Sequence, residues 1–196
     1  LGAIGQWPWP RTVIAELVRK LVDEYGVAAV AFDVVYAEPD RTSPAQLADS
    51  LQGASEELRE AILELPDNDE YMASILEGRP VILGQATVPR GDPPQSGDLP
   101  RVRGFASKAL QADLAPINNY LLNFQNIERN LDIFEDVAAG IGLFSFQPDE
   151  DNIVRRVPLA VSVGGELYPA LSVESLRVVL ERFQGGQAQS LLLKYG

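Results

Sequence analysis

An amphipathic segment followed at once by an apolar run is the feature of this sequence that most limits its fold. From Arg11 to Tyr25, apolar residues recur at helical spacing on one face, and charged residues occupy the opposite face. Gly26 ends this predicted helix. The run from Val27 to Val35 is then continuous, apolar and rich in β-branched residues, a pattern typical of a strand covered on both faces. A helix followed by a buried strand predicts an α/β fold.

The rest of the chain alternates in the same way. Capping patterns predict two or three helices between residues 44 and 77, and a strand is predicted from Pro80 to Val88. Turn sequences predict hairpins at Pro148–Asn152 and at Gly164-Gly165, and Tyr168-Pro169 predicts the start of a last helix. We therefore expect a mixed, partly parallel sheet flanked by helices, with a C-terminal hairpin and helix.

Length and composition indicate one domain. The chain has 196 residues, of which 46% are hydrophobic, which suits a single core with additions. We expect one domain over residues 1–196, with a helical insertion around residues 45–66 and a long loop over residues 89–104. Because the sequence begins at Leu1 without Met, it resembles a segment of a longer protein, and any membrane anchors would lie outside it.

Charge and two missing residue types exclude several functions. The net charge of −12 disfavours binding to nucleic acid and favours cationic ligands or metals. The chain has no His and no Cys, which excludes Ser-His-Asp triads, thiol nucleophiles and ordinary zinc sites. The longest apolar run, Val27 to Ala37, contains Asp33 and is too short to span a bilayer.

Three acidic residues follow or end the predicted buried strand. Asp33, Glu38 and Asp40 fall where open α/β sheets place a ligand crevice, so they are candidate ligands for a cation, an amine or sugar hydroxyls. The alternative is structural, with Asp33 capping a helix or pairing with an arginine such as Arg11 or Arg155.

A second acidic cluster lies in the predicted turn before Arg155. The carboxylates of Asp149 and Asp151 are candidate ligands for calcium or magnesium, although the spacing is not that of an EF-hand loop. Asp and Asn also form turns for purely structural reasons. Arg155 is a candidate ligand contact. Arg155 and Arg156 point to opposite faces if this stretch is a strand, so one of them could be an internal ion-pair partner while the other is exposed.

Trp7 and Trp9 lie in a proline-containing entry segment. Trp9 is a candidate for stacking on a sugar, and either indole could lie at a bilayer surface. Packing over the first helix is the structural alternative.

Three blocks in order carry a resemblance to a known family. They are Trp7–Arg11, Phe32–Asp40 and Asp149–Leu159, and Gly164–Leu171 follows the third. Together they resemble the type-two CHASE domain, the sensory extracellular module associated with cyclases and histidine kinases. Asn152 stands where the family's turn usually has Gly, a departure that the left-handed backbone tolerance of Asn allows.

The resemblance implies a sensory role and no enzyme activity. It implies a periplasmic or extracellular domain of a bacterial membrane receptor, with flanking transmembrane helices and a cytoplasmic cyclase, histidine kinase or diguanylate cyclase output. Signalling would follow a ligand- or stress-linked conformational or dimer change, and we expect a homodimer. The resemblance supplies no cofactor and does not identify a ligand. We expect the ligand to be an unidentified small molecule or cation.

Two other functions stay open at this point. One is a ligand-independent scaffold that only sets dimer geometry. The other is a metal-dependent hydrolase with Asp33 as nucleophile, which is disfavoured because Val35 stands where such phosphatases carry a second acid.

Overall fold

The computed structural model describes residues 5, 7–88, 105–109, 115–146, 149–187 and 190–195. Six α-helices lie in these ranges: α1 Arg11–Arg19, α2 Pro44–Ser50, α3 Glu56–Leu63, α4 Asn68–Leu76, α5 Asp132–Glu135 and α6 Leu171–Phe183. A π-helical turn, Lys20–Glu24, continues α1, and a 3-10 turn spans Ile117–Tyr120. The strands are β1 Val30–Phe32, β2 Val81–Val88, β3 Phe105–Ala109, β4 Asn123–Phe124, β5 Asn126–Glu128, β6 Gly140–Leu143, β7 Ala160–Val163, β8 Glu166–Pro169 and β9 Leu191–Tyr195.

Strand β2 is the centre of the main sheet. It pairs in parallel with β1 and with β6, and its last three residues pair antiparallel with β5. Residues 81–85 of β2 are buried, as expected for a strand with neighbours on both sides. The mixed, partly parallel sheet is therefore confirmed.

The first strand is shorter and less covered than the sequence predicts. Only Val30–Phe32 forms β1, which pairs with β2 alone in the described part of the chain. Ala31 and Asp33 are exposed, whereas Val30, Phe32 and Val34 pack on the core. The continuous apolar run predicted a strand covered on both faces, but this strand lies at the edge of the sheet and buries one face.

Helices lie on both faces of the sheet. The main core joins Ile14 and Val18 of α1, Met72 and Leu76 of α4, and Phe134 of α5 to strand β2. Helix α6 packs on β6, where a Cβ on Gly142 would lie 2.6 Å from the Leu171 Cα. A side chain at this position would push the helix away from the strand.

A second core lies between smaller elements. Strand β7 pairs with β4 and with β8, and Val161, Val163 and Tyr168 pack with Ile127 and Leu143. The hairpin at Gly164-Gly165 is confirmed. Tyr168 and Pro169 end β8, however, and α6 begins at Leu171, so the prediction that they start the helix is wrong.

Three other predictions have different outcomes. Asp149–Asn152 forms a turn, but residues 153–158 form no strand, so the predicted hairpin there is absent from the described chain. Residues 45–66, the predicted helical insertion, contain most of α2 and all of α3. The Arg59 guanidinium attaches α3 to the Ala48 and Leu51 carbonyls at the end of α2. The predicted loop over residues 89–104 lies outside the described residues.

Candidate functional site

A cleft of about 380 Å³ lies beside the start of α1. We call it the entry cleft, and its walls are residues 8–11 and the segment from Val35 to Thr42. It contains three of the predicted site residues, Trp9, Glu38 and Asp40. The cleft lies beyond the carboxyl end of β1, where open α/β sheets bind ligands.

Arg11 holds the two walls of the entry cleft together. Its backbone N–H donates to the Asp40 carboxylate at 2.7 Å, and its guanidinium donates to the Glu38 carbonyl at 3.0 Å. The guanidinium also lies 4.4 Å from the Tyr36 ring centre and 3.3 Å from an Asp69 oxygen. One cation therefore fixes the entry segment, the loop after β1 and the start of α4.

Asp40 is a structural residue of the cleft wall. It is only 5% exposed, and its carboxylate accepts hydrogen bonds from Arg11, Thr42 and Asn68. Burial alone would raise the pKa of Asp40, but these hydrogen bonds outweigh it and lower the pKa below its ordinary value. The carboxylate is thus ionised, and its oxygens already accept hydrogen bonds from the N–H groups that it caps.

Asp69, which the sequence analysis did not select, completes this network. Its carboxylate accepts the Asp40 N–H at 2.9 Å and faces Arg11. Burial raises the pKa of Asp69, and the neighbouring hydrogen bond and Arg11 only partly counter this. The capping pattern at residues 67–70 marked a helix start but gave no sign that Asp69 contacts a loop 29 positions away.

The groups of the entry cleft that remain available are Trp9, Glu38 and Arg41. Trp9 is half-buried and donates its indole N–H to the Gly5 carbonyl at 3.2 Å, while Trp7 meets it edge to face. Glu38 and Arg41 are exposed, and Arg41 donates to the Pro8 carbonyl at 3.5 Å. An aromatic wall beside a carboxylate suits organic cations and hydroxylated ligands.

Asp33 and Arg155 lie elsewhere. Asp33 is exposed directly after β1, and its side chain makes no hydrogen bond or ion pair within the described part of the chain. Arg11 pairs with Asp69 and Arg155 pairs with Asp149, so neither arginine makes the pairing with Asp33 that the sequence suggested.

Asp149 and Asp151 surround Arg155. The Arg155 guanidinium lies 3.2 Å from an Asp149 oxygen and 2.8 Å from an Asp151 oxygen, and Arg156 adds a 3.0 Å contact to Asp149. The described residues contain no group of three or more acidic side chains placed to hold a metal ion. A cation between Asp149 and Asp151 would have to displace a guanidinium, and their metal-binding role stays a prediction.

A larger cleft of about 860 Å³ lies at the amino ends of β2 and β6. Four of its five charged side chains, all except the exposed Glu77, are engaged in internal contacts. Arg79 donates twice to Asp23, Glu181 pairs with Arg177, and Arg182 donates to two backbone carbonyls. It contains none of the predicted site residues.

A buried asparagine joins the loop after β1 to strand β2. The Asn130 side chain accepts the Tyr36 N–H at 2.8 Å and donates to the Gly84 carbonyl at 3.0 Å. Beside it, Glu135 accepts hydrogen bonds from Arg129 and from Gln85. Sequence reasoning missed Asn130, because its partners lie 94 and 46 positions away.

Comparison with known proteins identifies the family. No curated protein and no solved structure matches the chain. Within the described residues, no helix is both long and apolar enough to cross a membrane. The family model for the CHASE2 domain, an extracellular sensory module of membrane receptors, matches residues 1–195. The chain belongs to the CHASE2 domain family.

Proposed function

We propose that this domain is the ligand-sensing input module of a bacterial transmembrane receptor, and that its ligand binds in the entry cleft. The observation that carries the proposal is the position of Arg11, which ties both cleft walls to α4 through Glu38, Asp40 and Asp69. A ligand that moves one wall would act on all three attachments.

The chemistry of the cleft favours an organic cation or a hydroxylated ligand. The Trp9 ring offers a flat apolar face, and the exposed Glu38 carboxylate can accept hydrogen bonds from an ammonium or hydroxyl group. Because Asp40 is only 5% exposed and is bonded on both oxygens, the exposed Glu38 is the carboxylate assigned to the ligand. Arg41 would select among ligands that also carry an acceptor.

Transmission would run through Tyr36 and Asn130. Tyr36 lies between the cleft residues Val35 and Ala37, and its N–H is bonded to the buried Asn130 amide. Asn130 is bonded in turn to strand β2, whose end pairs with β5 of the second core. A shift at the cleft would therefore reach the C-terminal half, which would bias the receptor between two states.

The receptor would place this domain on the periplasmic or extracellular face of the cytoplasmic membrane. Flanking transmembrane helices would carry the signal to a cytoplasmic cyclase, histidine kinase or diguanylate cyclase. Membership of the CHASE2 family supports this arrangement.

A thermal-shift screen with amines, amino sugars, sugars and nucleotides tests the proposal. A ligand at a hundred times its Kd should stabilise the domain by about 2.7 kcal/mol. Glu38→Gln should weaken the response, whereas Glu57→Gln, a matched exposed acid on α3, should leave it unchanged. A hit that responds equally to both variants would move the ligand out of the entry cleft.

Ligand-independent dimerisation is the second candidate function. Ile153, Val154, Val157 and Leu159 are each more than 40% exposed in a segment without strand pairing, which is a surface suited to a second copy. Sedimentation of wild type and Val157→Asp separates the candidates. A dimer that Val157→Asp dissociates, combined with no hit in the ligand screen, would favour the scaffold.

A further inference from the structure

A second recess lies on the other side of the Asp40 network. This groove, of about 510 Å³, runs between α1 and the α2–α3 insertion, and Thr42 lines both the groove and the entry cleft. We call it the insertion groove.

The walls of the insertion groove are mainly apolar. They include Leu47 and Leu65, which are 39% and 56% exposed, the neighbouring prolines Pro44 and Pro66, and the ring of Tyr71. Pockets that bind small molecules have this character, with apolar walls and few polar groups that fix orientation.

Helix α3 of the insertion adds little to the core of the protein. Helix α3 has no buried residue, although its leucines follow an amphipathic pattern. Arg59 nevertheless fixes α3 firmly to the end of α2 with hydrogen bonds of 2.8 and 2.7 Å to carbonyls. Helix α3 is thus attached to α2 by hydrogen bonds, and Leu65 and Pro66, which follow α3, line the groove.

One charged side chain, Glu16, lies among the described residues that line the groove. The Tyr71 hydroxyl donates to one of its oxygens, and Arg19 donates to the other at 2.9 Å. The Tyr71 hydrogen bond, followed by that of Arg19, lowers the pKa of Glu16, so the group is ionised at neutral pH. Each carboxylate oxygen can accept a further hydrogen bond.

We propose that the insertion groove is a second binding site and that its ligand is an organic cation with an apolar body. The apolar part would lie against Leu47, Leu65 and the Tyr71 ring, and the ammonium group would donate to Glu16. Charge complementarity supports a cation, because the charged group that lines the groove is a carboxylate whose side chain is 41% exposed beside its partner Arg19, and the chain carries a net charge of −12. This site extends beyond the entry cleft and stands independently of it.

Four matched probes test the site with the wild-type domain. Hexylammonium carries both the charge and the apolar body, hexanol lacks the charge, hexanoate reverses it, and methylammonium lacks the body. Binding by calorimetry or NMR titration should be strongest for hexylammonium, about tenfold weaker for hexanol, and undetectable for the other two. Equal binding of hexanoate and hexylammonium, or no binding by any probe, would overturn the proposal.

Variants locate the site. Glu16→Gln should weaken hexylammonium binding about tenfold and leave hexanol unchanged. Glu24→Gln is the control, because Glu24 pairs with the same Arg19 from outside the groove lining. Leu65→Ser should weaken both probes, whereas Leu58→Ser, on the 50% exposed Leu58 of α3, should weaken neither.

The entry cleft is separated from the groove by one more variant. Glu38→Gln should leave the Glu16-dependent component of hexylammonium binding unchanged, because Glu38 lines the entry cleft and not the groove. Loss of hexylammonium binding in Glu38→Gln but not in Glu16→Gln would place the cation in the entry cleft. That result would overturn the second site while it supported the proposed sensing function.

Discussion

The Asp40 carboxylate accepts the backbone N–H of Arg11 at 2.7 Å, although 29 residues separate them. This hydrogen bond caps the first turn of α1 from outside the helix, since Pro10 at the cap position offers no side-chain oxygen. The loop after β1 and the start of α1 are therefore one structural unit, and the entry cleft lies on it.

Removal of the Asp40 carboxylate should destabilise the fold. Asp40→Ala leaves the N–H groups of Arg11 and Thr42 without their acceptor, and we expect the free energy of unfolding to fall by about 2–3 kcal/mol. Urea denaturation measures this change. Glu38→Ala is the control and should have little effect, because the Glu38 side chain is exposed.

The Asp40 contribution should depend on pH. Its pKa in the folded state lies below the ordinary 3.8, because hydrogen bonds to its carboxylate outweigh the effect of burial. A carboxyl of this kind stabilises the fold fully above its unfolded pKa, and this stabilisation is lost as the pH falls through the folded pKa. The difference in unfolding free energy between wild type and Asp40→Asn should therefore be steady from about pH 7 to 5 and shrink below about pH 4. A difference that increases toward acid would be inconsistent with a lowered pKa.

Arg177 compensates a buried charge between α6 and the sheet. It donates to Glu174 at 2.7 Å and to the Ala139 carbonyl at 2.8 Å, and both side chains of the pair are buried. Arg177→Met leaves Glu174 unpaired and should lower the free energy of unfolding by about 3–5 kcal/mol. Arg182→Met, on the exposed end of α6, is the matched control and should cost less than about 1 kcal/mol. Equal losses of unfolding free energy in the two variants, measured by thermal or urea denaturation, would show that the buried pair stabilises the fold no more than the exposed Arg182 does.

Asn130 should connect the entry cleft wall to the second core. Asn130→Ala leaves the buried Tyr36 N–H and the Gly84 carbonyl without this partner, and it should lower the free energy of unfolding by about 2–4 kcal/mol. Amide hydrogen exchange offers a sharper test, because the Tyr36 N–H should exchange faster in the variant. Asn118→Ala removes an exposed amide and should leave Tyr36 exchange unchanged. Unaltered Tyr36 protection in Asn130→Ala would remove Asn130 from the proposed route.

Local sequence patterns predicted the positions of helices and turns better than they predicted what packs around each of them. The spacing from Arg11 to Tyr25 predicted α1, and Gly164-Gly165 predicted the hairpin, because helical periodicity and turn geometry depend on near neighbours. The run from Val27 to Val35 failed as a fully buried strand, because burial depends on which strand lies beside it. Here β1 pairs with β2 alone in the described sheet.

The candidate site could likewise be predicted where it depends on neighbouring residues and could not be predicted where it depends on distant ones. The position after β1 predicted that Glu38 and Asp40 line a cleft, and Trp9 joins them there. Asp69 and Asn130 could not be predicted, because each acts through contacts with distant parts of the chain. Arg155, a candidate ligand contact from the sequence, pairs with Asp149 and Asp151 within its own turn.

The Trp9 indole signal in a ¹H–¹⁵N NMR spectrum tests ligand sensing at the entry cleft most directly. The chain has two tryptophans, so Trp7→Phe leaves one indole signal to follow. An amine or sugar that stabilises the domain should shift this Trp9 signal saturably, and Glu38→Gln should reduce its affinity. A compound that stabilises the domain while the Trp9 signal stays in place would contradict ligand binding in the entry cleft.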